Sequence, residues 1–153
     1  MPVSSREEPS LSQRDFDGAI EGFRHALDVY LKGDARPVME FFSRREDVTI
    51  ANPILPARRG PEQVDEAVAA GAAQLSDGFM RGFEEVARYS TPDLGYVVQI
   101  ERSQARIAGN HDVSPIALRV TMIFRREGDT WRVVHRHADP ITTPRPIETA
   151  IES

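Results

Sequence analysis

The chain of 153 residues contains no cysteine. That excludes a disulfide framework, a thiolate nucleophile and any cysteine-ligated zinc or iron–sulfur site. It fits a cytoplasmic protein, which is the expected location. Membrane-length apolar runs are also missing, and Met1-Pro-Val-Ser-Ser-Arg-Glu-Glu-Pro9 has no apolar core of the kind a signal peptide needs, so neither membrane insertion nor export by that route is expected. Positive charge is not in excess: the formal net charge is −5, which disfavours nucleic acid as a partner. The chain has no phosphate-cradling glycine-rich loop, serine nucleophile elbow or nucleotide fingerprint, and the expectation is no cofactor.

What is present is a soluble balance of 40% apolar and 28% charged residues in a chain long enough for one domain. Residues 1–11 read as a flexible arm, 12–141 as the domain and 142–153 as a polar tail. Phe16, Ile20, Phe23, Leu27, Tyr30 and Leu31 recur at helical spacing behind Ser12, with a stop at Lys32-Gly33-Asp34. Pro37 opens a short second helix containing Val38, Met39, Phe41 and Phe42. Val48 to Asn52 is a β-branched run halted by Pro53, with Val48, Ile50 and Asn52 inward. Gly60-Pro61 starts a third helix, carrying Val64, Val68, Ala72 and Leu75 and ending at Ser76-Asp77-Gly78. Strands follow over 83–89, 95–107 and 115–124. Helices first and antiparallel strands afterwards make an α+β order, with the helices covering one face of a curved sheet.

The last hairpin, Leu118 to Asp139, alternates with period two. Pairing it across Glu127-Gly128 puts Phe124, Met122, Val120 and Leu118 on one face with Trp131, Val133, His135 and His137. Arg119, Thr121, Arg125, Arg132 and Arg136 then point the other way. His135 and His137 share a face roughly 7 Å apart, as an acid/base pair at a pocket or as fold-determining histidines of the hairpin. With Asp139 they offer ligand-type donors, but Asp139 closes the strand near Pro140, so no third ligand is fixed by the sequence and no metal is expected. Asn52 has an inward donor and acceptor, suited either to orienting a carbonyl or to starting a turn before proline. Tyr30 and Tyr96 are candidate phenolic partners at the cavity mouth, and Val120, Met122 and Trp131 are candidate apolar contacts.

Phe124-Arg-Arg-Glu-Gly-Asp-Thr-Trp-Arg-Val-Val-His-Arg-His137 and Ile50-Ala-Asn-Pro-Ile-Leu-Pro-Ala-Arg-Arg-Gly60 resemble the nuclear transport factor 2-like superfamily. That superfamily is the cone-shaped, cystatin-like α+β fold of ketosteroid isomerases, SnoaL-type cyclases and the association domain of calmodulin-dependent protein kinase II. The resemblance implies N-terminal helices on a curved, mostly antiparallel sheet and a pocket for a small hydrophobic ligand; a homodimer through sheet faces is expected because the arginine-rich hairpin face also carries the apolar Ile123, Val134 and Ala117. It places Asn52 where the isomerase keeps a proton-shuttling Asp, and an amide takes no proton at neutral pH. Val120 or Thr121 stands where that enzyme keeps a protonated Asp, and an apolar residue or Thr121 where the kinase domain keeps a pocket arginine. The expected function is therefore binding of a small carbonyl-bearing or polycyclic compound, or cofactor-independent isomerase, cyclase or hydrolase chemistry on it; if the chain is catalytic, His135 or His137 is the base and Asn52 the polariser. The alternative is a non-catalytic dimerisation or association module.

Overall fold

The computed structural model describes residues 11–153; the expected arm, except Leu11, and the side chain of the expected cap Ser12 lie outside the described residues. The elements are α1 (Leu11–Tyr30), α2 (Arg36–Met39), β1 (Thr49–Ala51), β2 (Arg58–Arg59), α3 (Pro61–Ala73), β3 (Leu75–Ser90), β4 (Leu94–Ile107), β5 (Val113–Glu127) and β6 (Thr130–Asp139). A 3-10 turn at Ile147–Ala150 follows in the exposed tail. No helix among the described residues is long and apolar enough to cross a membrane.

One six-stranded sheet, ordered β2-β1-β6-β5-β4-β3, curls around the helices into a cone. All neighbours are antiparallel except β1 and β6, which run parallel. The core forms where the helical stripe meets the inner sheet face: Phe16, Ile20, Phe23 and Leu27 of α1 pack with Val97, Val120, Met122, Phe124 and Val133. Spacings of three and four put the α1 residues on one side, and spacings of two put the strand residues on one side. Phe16 meets Phe124 edge-on at 5.5 Å and Trp131 at 5.1 Å. Gly60, at φ 89°, takes a backbone conformation that a side chain would disfavour, and Pro61 then fixes the first turn of α3.

The end of the third helix and the last turn differ from the sequence expectation. The third helix stops at Ala73, and Leu75 already begins β3, so Ser76-Asp77-Gly78 lies inside a strand of 16 residues. That strand is broken by three register shifts, between Ser76 and Phe79, Met80 and Gly82, and Glu85 and Ala87, which erase its alternation in the sequence. The hairpin turn is also one residue later than expected. Glu127 pairs with Thr130 across Gly128-Asp129.

The larger correction lies within β6. Phe124 pairs with Val133 and Ile123 pairs with His135, so Val134 is an extra residue with no partner on β5. A single inserted residue reverses which face each following side chain takes. Trp131 and Val133 are inward as expected, but beyond the bulge Arg136 and Ala138 are inward, and His135 and His137 stand on the outer face.

Candidate ligand cavity and the buried Arg136–Glu101 pair

A cavity of about 100 Å³ lies between the helices and the β1–β6–β5 part of the sheet. Leu27, Val38, Phe42, Ile50, Ala67, Val68, Leu118 and Ala138 supply its apolar wall, and Tyr30, Asn52 and Arg136 its polar groups. The small side chains Ala67 and Ala138 leave the space open. Of the residues expected at the site, Tyr30 and Asn52 are brought together here.

Asn52 ends β1. Its Oδ1 accepts the backbone N–H groups of Ile54 at 3.2 Å and Leu55 at 2.9 Å, which fixes the turn into the following loop. The acceptor is thus occupied, and the amide nitrogen makes no hydrogen bond among the described residues. Tyr30 comes from the last turn of α1. Its hydroxyl donates to the Val68 carbonyl of α3 at 3.0 Å, and burial pushes it above the ordinary phenol range against the opposing influence of Arg136. The contact requires Gly71, because a Cβ there would overlap the Tyr30 hydroxyl.

Arg136 was expected on the outer face, and its partner is Glu101 of β4. Both are inside. Arg136 passes Met122 Sδ at 3.5 Å and lies 5.4 Å from the Phe23 ring centroid. It donates through Nη1 and Nη2 to Glu101 at 2.8 and 2.7 Å. The two side chains are only 10% and 5% exposed. Gln99 also donates to Glu101 at 2.9 Å and accepts two N–H groups of Arg24, which in turn reaches Glu85 and Glu21. This bidentate pairing and its hydrogen-bonded support let two opposite charges reside in a largely apolar interior. Burial opposes the charge on Arg136, but the Glu101 carboxylate outweighs that and raises its pKa.

His135 and His137 do not reach the cavity. His135 shares a 2.8 Å hydrogen bond between its Nδ1 and Thr49 Oγ1 on the parallel neighbour β1, and His137 Nε2 lies 2.9 Å from Asp139. Burial, then the nearby His137, lowers the His135 pKa below 6.5. Asp139 is partly buried, yet hydrogen bonds from Arg119, the Ile141 N–H and His137 bring it down to about 2. Tyr96 is on the outer face, 40% exposed, with Tyr89 6.3 Å away. Val120 and Met122 are fully enclosed in the core, and Trp131 is packed against Phe16 rather than lining the cavity. The missed residue is Arg136. Its signal was the adjacent pair Val133-Val134, a break in the alternation that marks a bulge, followed by Ala138 in phase with Arg136.

A second depression, at the start of α3, is lined by Arg44, Glu46, Arg59, Gly60, Pro61, Glu62 and Gln63. It is a solvated rim: Arg44 pairs with Asp65, and Arg59 donates to the Glu46 carbonyl.

Solved structures share this architecture. A ketosteroid isomerase-like protein from Erwinia carotovora atroseptica is 14% identical, with a TM-score of 0.72, covering 88% of this chain and all of its own. A candidate dehydratase of the NTF2-like family from Streptomyces avermitilis is 18% identical, with a TM-score of 0.73 over 89% of this chain and 100% of that one. A candidate calcium/calmodulin-dependent protein kinase II association domain from Xanthomonas campestris is 12% identical, with a TM-score of 0.68 over 93% and 95%. At these identities the likeness is one of fold. No curated protein matches significantly. The SnoaL-like domain model matches residues 22–142, which takes in the C-terminal part of α1, the cavity and the bulged hairpin, and the chain belongs to the SnoaL-like domain family.

Proposed function

We propose that this protein binds a small, mostly apolar molecule with one polar group in the cavity between α1, α3 and β6. The observation that carries the reading is the convergence of Tyr30, Asn52 and Arg136 on one otherwise apolar space. Its volume of about 100 Å³ is below the roughly 150 Å³ that encloses benzene in an engineered core and well below the roughly 300 Å³ at which drug-sized sites begin. A compact carbonyl compound therefore suits it better than a polycyclic one. Asn52 offers a free amide donor, the polarising role expected of it.

Binding is favoured over proton-transfer chemistry because the polar wall has no free base. Asn52 cannot take a proton, a guanidinium stays charged, and the Tyr30 proton is committed to Val68. His135 and His137 lie on the opposite face and belong to a proposed pairing surface with Val98, Ile100, Thr121 and Ile123. Filling the cavity tests the reading. Ala67→Leu should abolish binding of cyclopentanone, measured by ligand-detected NMR, while the protein stays folded; undiminished binding to that variant would place the ligand elsewhere.

A further inference from the structure

We propose that the Arg136–Glu101 pair makes this cavity select uncharged hydrogen-bond acceptors, such as small amides and ketones, over carboxylates of the same shape. The inference rests on the reading of the cavity as a ligand site and adds its chemical class. An arginine in a pocket wall ordinarily marks recognition of an anion. Here the positive charge is already matched by a carboxylate 2.7–2.8 Å away on the same chain, inside the same packed interior.

A ligand carboxylate would lose its hydration and find an arginine whose charge is already offset by Glu101, which lies behind it and not among the lining residues, so the remaining attraction is too small to repay that desolvation. Arg24 supplies no spare charge, because its guanidinium is held by Gln99, Glu85 and Glu21. Hydrogen bonding is different from charge. Glu101 uses one N–H on each terminal nitrogen of Arg136, Nη1 also donates to Met122 Sδ, and the Nε–H has no partner among the described residues. Together with the Asn52 amide it presents donors to the cavity, whereas the Asn52 oxygen is occupied by the turn and the Tyr30 proton points to Val68. A donor-rich, charge-compensated wall matches a carbonyl oxygen that carries no formal charge.

Isobutyramide and isobutyrate have the same size and branching and differ in charge. Each would be titrated at pH 7 into the full chain, following the methyl signals of Ala67, Ala138 and Val38. The amide should bind at least about tenfold more tightly. Equal or tighter binding of isobutyrate at those methyls would overturn the selectivity while leaving the cavity a ligand site. If neither compound moves those methyls at tens of millimolar, the ligand-site reading fails and the selectivity with it. Glu101→Gln sharpens the test, because Arg136 then becomes an uncompensated cation and the preference should invert toward isobutyrate. A folded E101Q protein that still prefers the amide would overturn the role given to Glu101; should the variant not fold, the comparison in the unmodified chain decides.

Discussion

At the residue scale the interior depends on charge compensation rather than on hydrophobic burial alone. Removing one partner of a buried bidentate pair leaves the other charge without water and without an opposite, a loss of about 3–5 kcal/mol. Arg136→Met should lower stability by about that amount, while Arg136→Met combined with Glu101→Gln should recover much of it; chemical denaturation of the two singles and the double gives the coupling directly. Additive losses would mean that the pair is not a unit.

His135 supplies a pH effect of definite sign. Its folded pKa lies below 6.5 because of burial and then the adjacent His137, so the unfolded chain takes the proton more readily. Stability from this group is complete above about pH 6.5, decreases as pH falls toward the folded value, and then levels off. Melting temperature should therefore decline from pH 7 to pH 5, with a shallower decline in His135→Gln. An unchanged slope in that variant would assign the effect to another group. Asp139, held at about 2, acts lower: its contribution is present above about pH 3.8 and disappears as pH falls through 2.

At the scale of elements, α1 and α3 are joined at one tight point. Gly71 admits the Tyr30 hydroxyl, and that contact shapes one wall of the cavity. Alanine at 71 improves helix propensity by about 1 kcal/mol but displaces the hydroxyl from Val68, a loss of about 1–3 kcal/mol. Gly71→Ala should thus be destabilising by about 1 kcal/mol, and neutral or stabilising in a Tyr30→Phe background where the hydroxyl is gone. Thermal melts of the four proteins check the sign reversal.

Much of this architecture is legible in the sequence. The stripe Phe16, Ile20, Phe23, Leu27 is local and periodic, and the inward set Val48, Ile50 and Val120, Met122, Phe124 follows from alternation. The site was legible only in part, because the periodicity argument assumes an unbroken ladder. One unpaired residue, Val134, reverses every face after it, so two histidines expected in the pocket exchange places with Arg136 and Ala138. Likewise, Arg136 and Glu101 are 35 positions apart and meet across an intervening strand, a contact that no local spacing encodes.

For the whole molecule, the two sheet faces differ in character. The inner face packs the core and the cavity, while the outer face carries the half-buried Val98, Ile100 and Ile123 beside the exposed Tyr96 and Leu94. Apolar groups of this kind on an open sheet favour pairing with a second copy. Light scattering should return twice 17.1 kDa, and Ile123→Glu should return the monomer mass without loss of secondary structure. A monomer at micromolar concentration in the unmodified protein would contradict this.

The inner cavity, and not the outer face, is the proposed ligand site. The most direct test is a methyl-resolved NMR titration of the unmodified chain with cyclopentanone. Saturable shifts are predicted at Val38, Ala67, Val68, Leu118 and Ala138, with the outer-face methyls of Val98, Ile100 and Ile123 unmoved. Saturable shifts confined to the outer-face methyls would place the ligand there, and none at any of these positions would remove the cavity as a ligand site.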